Sequence, residues 1–107
     1  MDLNKAYKII IHSSAKNGIN SIYNYCLYKY GKNYAIKIRK IIKIHIKKLN
    51  VFPNSNPIYA IYNNNNIFRK HIVNGRYIIV FKVYYNFIHV YYVYDGRQNI
   101  NENNLFY

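Results

Sequence analysis

Apolar positions recur along this chain with two periods, and the change of period divides it into a helical first half and an extended second half. Between residues 15 and 30 they fall three and four apart, at Ala15, Ile19, Ile22, Tyr23, Cys26 and Tyr30, which is the spacing of one helix face. Ser13 and Ser14 stand just before that stripe, and either can cap the helix by accepting an early backbone N–H bond. Gly31 follows it, suited to the left-handed conformation that ends helices. Gly18 interrupts the stripe at a cost of about 1 kcal/mol relative to alanine, and nothing nearby in the sequence accounts for it. Ahead of the helix, the apolar run from Tyr7 to Ile11 predicts a first strand.

The stretch from Asn33 to Leu49 carries both periods at once. Ala35, Ile38, Ile42, His45 and Leu49 make a helical stripe with Lys40, Lys43 and Lys47 on the far side, yet IKIRKIIKIHIKK also alternates, and isoleucine favours strands. Length decides for a helix: strands average about five or six residues, and no turn signal breaks this stretch. With only Gly31-Lys32 between them, the two helices should run antiparallel. A loop bracketed by Pro53 and Pro57 precedes a strand at Ile58 to Tyr62 and an asparagine turn at Asn63 to Asn66. Residues 67 to 98 then hold three β-branched and aromatic runs, separated by Asn74-Gly75 and by Tyr85-Asn86. An Asn-Gly pair is a strong hairpin signal, because both central residues of a type I′ turn take positive φ. The result is an α+β domain of order β-α-α-β-β-β-β. Two antiparallel helices cover one face of a mainly antiparallel sheet, and Tyr77 to Val83 is an interior strand. No repeat or boundary divides residues 1–107, a length that suits a single core.

Charge adds a partner to this picture. The chain has 16 Lys+Arg against 3 Asp+Glu, a net charge of +13. Asn, Ile, Lys and Tyr all use A/T-rich codons, which explains part of the lysine and tyrosine. The same bias should also supply Asp and Glu, so the scarcity of acids is the informative part. A small domain so charged favours a polyanion: nucleic acid, an acidic protein or an anionic membrane. Hydrophobic residues make up 51% of the chain and charged residues 18%, far from the composition of a disordered segment. No run approaches the ~18 apolar residues of a membrane span, and the first apolar stretch is too short for a signal peptide, so a cytoplasmic protein is expected. Cys26 stands alone, which excludes a disulfide framework and a thiol metal site. His12, His45, His71 and His89 lack metal-ligand spacing and read as structural. No metal, cofactor or small-molecule substrate is expected.

Residues 67 to 98 also resemble the last three strands of the RelE/ParE family of bacterial toxins, the toxic halves of type II toxin–antitoxin pairs. The family's aromatic-Arg pair, Asn-aromatic turn, Tyr-containing apolar strand and closing aromatic-x-Gly-Arg stretch correspond to Phe68-Arg69, Asn74 to Tyr77, Ile78 to Val83 and Tyr94-Asp95-Gly96-Arg97. Ala15, the Ile22-Tyr-x-Tyr segment, Ala35 and Leu49-x-x-Phe52-Pro53 extend the resemblance over nearly the whole chain. Each motif is a few common residues, and the specificity lies in their order and spacing.

The resemblance implies one of two activities. RelE-like members cut messenger RNA on the ribosome with a basic cluster on the open face of the sheet. ParE-like members have largely lost that cluster and poison DNA gyrase. RelE-like nucleases carry an arginine after the aromatic that opens the penultimate strand, where this chain has Ile78, and an acid–base Tyr or His near the C-terminus, at about Asn103 here. Cleavage needs the 2′-hydroxyl deprotonated and the phosphate charge neutralised, and an asparagine cannot take the proton. These departures favour the ParE-like branch: a gyrase inhibitor that acts by binding, with no catalytic residue. The alternatives are a RelE-like endoribonuclease acting on the ribosome and mRNA through Arg97, Arg76 and Tyr107, or a degenerate, non-toxic nucleic-acid-binding relative.

Arg69, Arg76, Arg97 and Tyr94 are then the expected target-binding residues. Arg69 can instead hold the fold through a carbonyl or carboxylate, and Arg76 can be a solvated hairpin arginine. In such toxins the cognate antitoxin wraps an acidic segment over the helices and sheet. Arg39, Lys40, Lys43, Lys47 and Lys48 are its expected contacts, since opposite charge raises both association rate and affinity. Asp95 and Glu102 do not form a paired-carboxylate site. Tyr84, Tyr85, Tyr91, Tyr92 and Tyr94 can stack on bases, although strand alternation leaves half of them as plain core or sheet surface.

Overall fold

Two stripes of small and branched side chains close on each other to make a helical hairpin. In the computed structural model, which describes residues 7–63 and 66–97, helix α1 (Ser13–Tyr30) buries Ala15, Ile19, Ile22 and Cys26. Helix α2 (Lys32–Lys48) buries Ala35, Ile38, Ile42 and Ile46, with Leu49 buried just beyond it. The helical period therefore prevails over the alternating one in α2. Ile46, absent from the expected stripe, takes the core place assigned to His45, which is half-buried. Gly31 alone joins the helices at φ 94, a conformation that side chains resist. Its N–H donates to the Leu27 carbonyl and its own carbonyl accepts from Ala35 N–H, each at 3.1 Å. Neither Ser13 nor Ser14 is the cap of α1. Extended His12 holds that position without a side-chain bond, its carbonyl accepting the Lys16 N–H at 3.1 Å.

The strands β1 (Lys8–Ile11), β2 (Ile58–Tyr62), β3 (Asn66–Val73), β4 (Tyr77–Tyr84) and β5 (Phe87–Asp95) form one sheet of order β1-β5-β4-β3-β2. Strand β1 is parallel to β5, and every other pairing is antiparallel. The interior place expected for residues 77–83 is occupied by β4. Asn74 and Gly75 both take positive φ, 53° and 64°, as the Asn-Gly signal requires. Val73, Tyr77, Ile79, Phe81, Ile88, Val90 and Val93 face the helices and complete the core.

Gly18 gains its reason here. A Cβ on it would lie 1.9 Å from the carbonyl oxygen of Val93, so α1 rides against the backbone of β5 at a point where only glycine fits. Strand alternation also fails at one place. The β4–β5 register slips between Val80, opposite Tyr92, and Phe81, opposite Val90. Tyr91 is left unopposed, as the extra residue of a β-bulge. Val90 and Val93, three apart, can then both face the helices, while Tyr91 and Tyr92 lie together on the open side.

Candidate functional site

The three motif arginines do not gather into one site. Arg69 donates through Nη1 to the carbonyl of Asn56 at 2.8 Å, the structural alternative foreseen for it. Arg76 is no solvated hairpin arginine: its side chain is 15% exposed and its Nε and Nη2 both donate to Asp95 Oδ2, at 3.0 and 2.7 Å. Burial opposes the Arg76 charge, but Tyr77 and Asp95 outweigh it and raise the guanidinium pKa. The Arg97 N–H donates to Asp95 Oδ1 at 3.0 Å, and its guanidinium, 56% exposed, stands 3.6 Å from the same oxygen. Asp95 is the single carboxylate among the described residues. It is buried, and it brings Arg76 and Arg97 together at the end of the sheet. Tyr94 is elsewhere, its hydroxyl 3.5 Å from that of Tyr59. Ile78 lies on the open face of β4, opposite Ile72 on one side and Tyr94 on the other. Asn103, Glu102 and Tyr107 lie outside the described residues.

On the helical side a groove of about 600 Å³ opens between β1, α1 and α2. Ile9, Ile11, Ile19 and Ile46 give it an apolar lining, and Lys16, Arg39, Lys43 and Lys47 surround it. A shallower depression of about 300 Å³ continues along α2, lined by Ile36, Arg39, Lys40, Lys43, Ile44 and Lys47. Four of the five cations expected on α2 thus line one continuous surface, and Lys48 lines neither part. The mixed period of α2 explains the surface. A helix turns Ile38, Ile42 and Ile46 inward and leaves Ile36 and Ile44 among the lysines, 37% and 44% exposed. Sequence reasoning missed Lys16, Ile9 and Ile11, which come from other elements.

The open side of the sheet is a different surface. Tyr62 meets Phe68 edge-on at 5.8 Å, Phe68 meets Tyr91 at 5.6 Å, and His12 stacks on Tyr91 at 4.4 Å. This ladder of rings crosses the sheet. Beside it a cleft of about 570 Å³ is lined by Tyr62, Asn63, Asn66, Phe68, Lys82, Tyr91 and Tyr92. Lys82 sits directly opposite His89 in the β4–β5 register, and its Nζ donates to Asn66 Oδ1. None of the five clustered tyrosines joins the helix-side core.

The histidines, scattered in sequence, are paired in space. His12 Nε2 is 3.0 Å from His89 Nδ1, and His45 Nδ1 is 2.9 Å from His71 Nε2. In the second pair the partners set the tautomers. Asn56 Nδ2 donates to the Pro53 carbonyl at 3.0 Å, which turns Asn56 Oδ1 toward His71 Nδ1 at 2.8 Å. His71 Nδ1 must then donate, its Nε2 must accept, and His45 Nδ1 is the donor to it. Burial first, and His45 second, hold the His71 pKa below its ordinary value. Burial, His12 and Lys82 lower that of His89. Burial, with Tyr92, raises the Tyr91 phenol. Among the described residues no cluster of three or more His, Cys, Asp or Glu is arranged to hold a metal, and no helix is long and apolar enough to cross a membrane.

No family model and no curated protein sequence matches this chain. Among solved structures, a chain of the chromosomal ParDE TA system from P. aeruginosa superposes with a TM-score of 0.73 at 15% identity, over 86% of this chain and 98% of that one. The arrangement is a RelE/ParE-like α+β fold: two helices on one face of a five-stranded, mostly antiparallel sheet.

Proposed function

We propose that this chain is the toxin of a type II toxin–antitoxin system, of the ParE-like branch, which inhibits DNA gyrase by binding and is neutralised by a cognate acidic antitoxin. The observation that carries the reading is the isoleucine-lined groove flanked by Lys16, Arg39, Lys43 and Lys47. It suits an amphipathic acidic segment, whose apolar face fills the groove while its carboxylates meet the cations. The fold likeness to a chain of a ParDE TA system supports the same class. Two features weigh against RNA cleavage through the motif arginines. Arg76 is engaged by Asp95, and Ile78 continues an apolar strip from Ile72 to Tyr94 where phosphate neutralisation would need a cation. Arg97 serves as a binding contact.

Induced expression tests this. It should block replication and trigger a DNA-damage response while messenger RNA on translating ribosomes stays intact. Arg97→Ala should weaken the effect only as far as one lost contact can. Transcripts cut within ribosome-bound codons, with cutting lost by orders of magnitude in Arg97→Ala, would instead identify a nuclease, since transition-state charge stabilisation is worth about 3–4 kcal/mol.

A further inference from the structure

We propose that His45 and His71 form a chelate for a divalent copper or nickel ion, held between α2 and β3, with Asn56 positioning the His71 ring. The inference is independent of gyrase inhibition and of the helical groove. The two histidines are 26 positions apart in the chain, and the fold sets His45 Nδ1 at 2.9 Å from His71 Nε2. Imidazole nitrogens lie about 2.0–2.1 Å from a bound divalent ion. Two of them meeting at a right angle on the metal stand about 2.9 Å apart, whereas tetrahedral corners need about 3.3 Å. The spacing therefore suits the tetragonal geometry of Cu(II) and Ni(II). Both histidines are half-buried, so water can fill the remaining positions on the ion.

What separates this pair from a plain hydrogen bond is the support behind it. A metal-binding imidazole donates its other N–H to a fixed acceptor, which sets its tautomer and orientation. His71 Nδ1 donates to Asn56 Oδ1 at 2.8 Å, and that leaves Nε2 as the bare nitrogen. Asn56 is itself anchored three times. Its N–H and its Nδ2 donate to the Pro53 carbonyl at 3.3 and 3.0 Å, and its own carbonyl accepts from Arg69 at 2.8 Å. In the hydrogen-bonded pair His45 carries its proton on Nδ1. On binding, that proton is exchanged through solvent for one on Nε2 of the same ring. Two waters leave the ion and two metal–nitrogen bonds form, with no net change in protonation. The other pair is less suited to a dication, because Lys82 sits directly opposite His89 and His12 is stacked on Tyr91.

The test is calorimetric titration of the full, untagged chain with copper(II) chloride and with nickel(II) chloride. One ion per chain should bind, copper more tightly than nickel. His45→Gln and His71→Gln should each weaken binding about a hundredfold, the advantage of a second tethered ligand. Asn56→Leu should weaken it about tenfold by releasing the His71 tautomer, and Asn56→Asp, which keeps the acceptor, should restore it. His12→Gln should leave the affinity unchanged. Melting curves without metal confirm that each variant is folded. Where one is not, the unaltered chain still decides: in NMR spectra, substoichiometric Cu(II) should broaden the ring signals of His45 and His71 before those of His12 and His89. Binding that survives His71→Gln, an equal loss in His12→Gln, or broadening that begins at His12 and His89 would overturn the proposal and leave the pair as a hydrogen bond between helix and strand.

Discussion

The groove on the helical side and the cleft on the open sheet are of nearly equal size, about 600 and 570 Å³, and both carry lysines. Their linings differ. The groove is aliphatic, built of four isoleucines from β1, α1 and α2; the cleft is aromatic, built of rings from β2, β3 and β5. A shared positive charge attracts polyanions to both without distinguishing them. The linings differ in what they can pack: an aliphatic trough takes leucine-like side chains, and a wall of rings takes flat, π-faced groups.

Both surfaces depend on α1 lying against β5, so the largest effect should come from that contact. Gly18→Val puts side-chain atoms where even a Cβ would sit 1.9 Å from the Val93 carbonyl oxygen. Backbone cannot yield as a flexible side chain would, and the loss should exceed about 3 kcal/mol. Denaturant unfolding should show an unfolded or severely destabilised chain, with both surfaces lost together. A variant of near-normal stability would mean that the helix can lift from the strand.

Next in size is Asp95→Ala. It strands Arg76, 15% exposed, without its counter-charge, at a cost of about 3 kcal/mol. Chemical denaturation measures it, and Arg76→Met in the same background should recover part of the loss. No recovery would assign the cost to something other than the abandoned charge.

The double variant Lys43→Glu/Lys47→Glu separates the two surfaces. A synthetic helical peptide with leucines on one face and glutamates on the other should bind it at least roughly tenfold more weakly at low salt. Lys82→Gln, which alters the cleft on the other side, should weaken the peptide much less. Equal losses in both variants would merge the two surfaces into one diffuse field.

The smallest effect is in pH. The folded His71 and His89 have pKa values below the ordinary 6.5, so the unfolded chain binds more protons in that window and stability rises with pH. Thermal stability should be flat above pH 6.5 with respect to these groups and decline as pH falls through their lowered folded values. His71→Asn should remove its share of that decline. In NMR titrations His71 should protonate at lower pH than a free imidazole; a normal titration would contradict its burial against His45.

Much of the fold was legible because its signals are local. Asn74-Gly75 carries its turn in two residues, and α2 betrays its helix by outlasting any ordinary strand. The basic groove was half legible, since Arg39, Lys40, Lys43 and Lys47 share a helix while Lys16, Ile9 and Ile11 reach it only through tertiary packing. What could not be read was set by distant partners. Gly18 answers to a carbonyl on Val93, and His12 finds His89 across 77 positions. Arg76 looked solvated because nothing local reveals that Asp95 is buried beside it. The Tyr91 bulge broke the alternation on which the tyrosine reading rested.

Whether this chain acts by binding to gyrase, without RNA chemistry, can be read with purified components. The protein is added to gyrase supercoiling relaxed plasmid, and in parallel to ribosomes translating a defined messenger RNA. Supercoiling should be inhibited while the transcript stays whole. Undisturbed supercoiling alongside a transcript cut within ribosome-bound codons would contradict it.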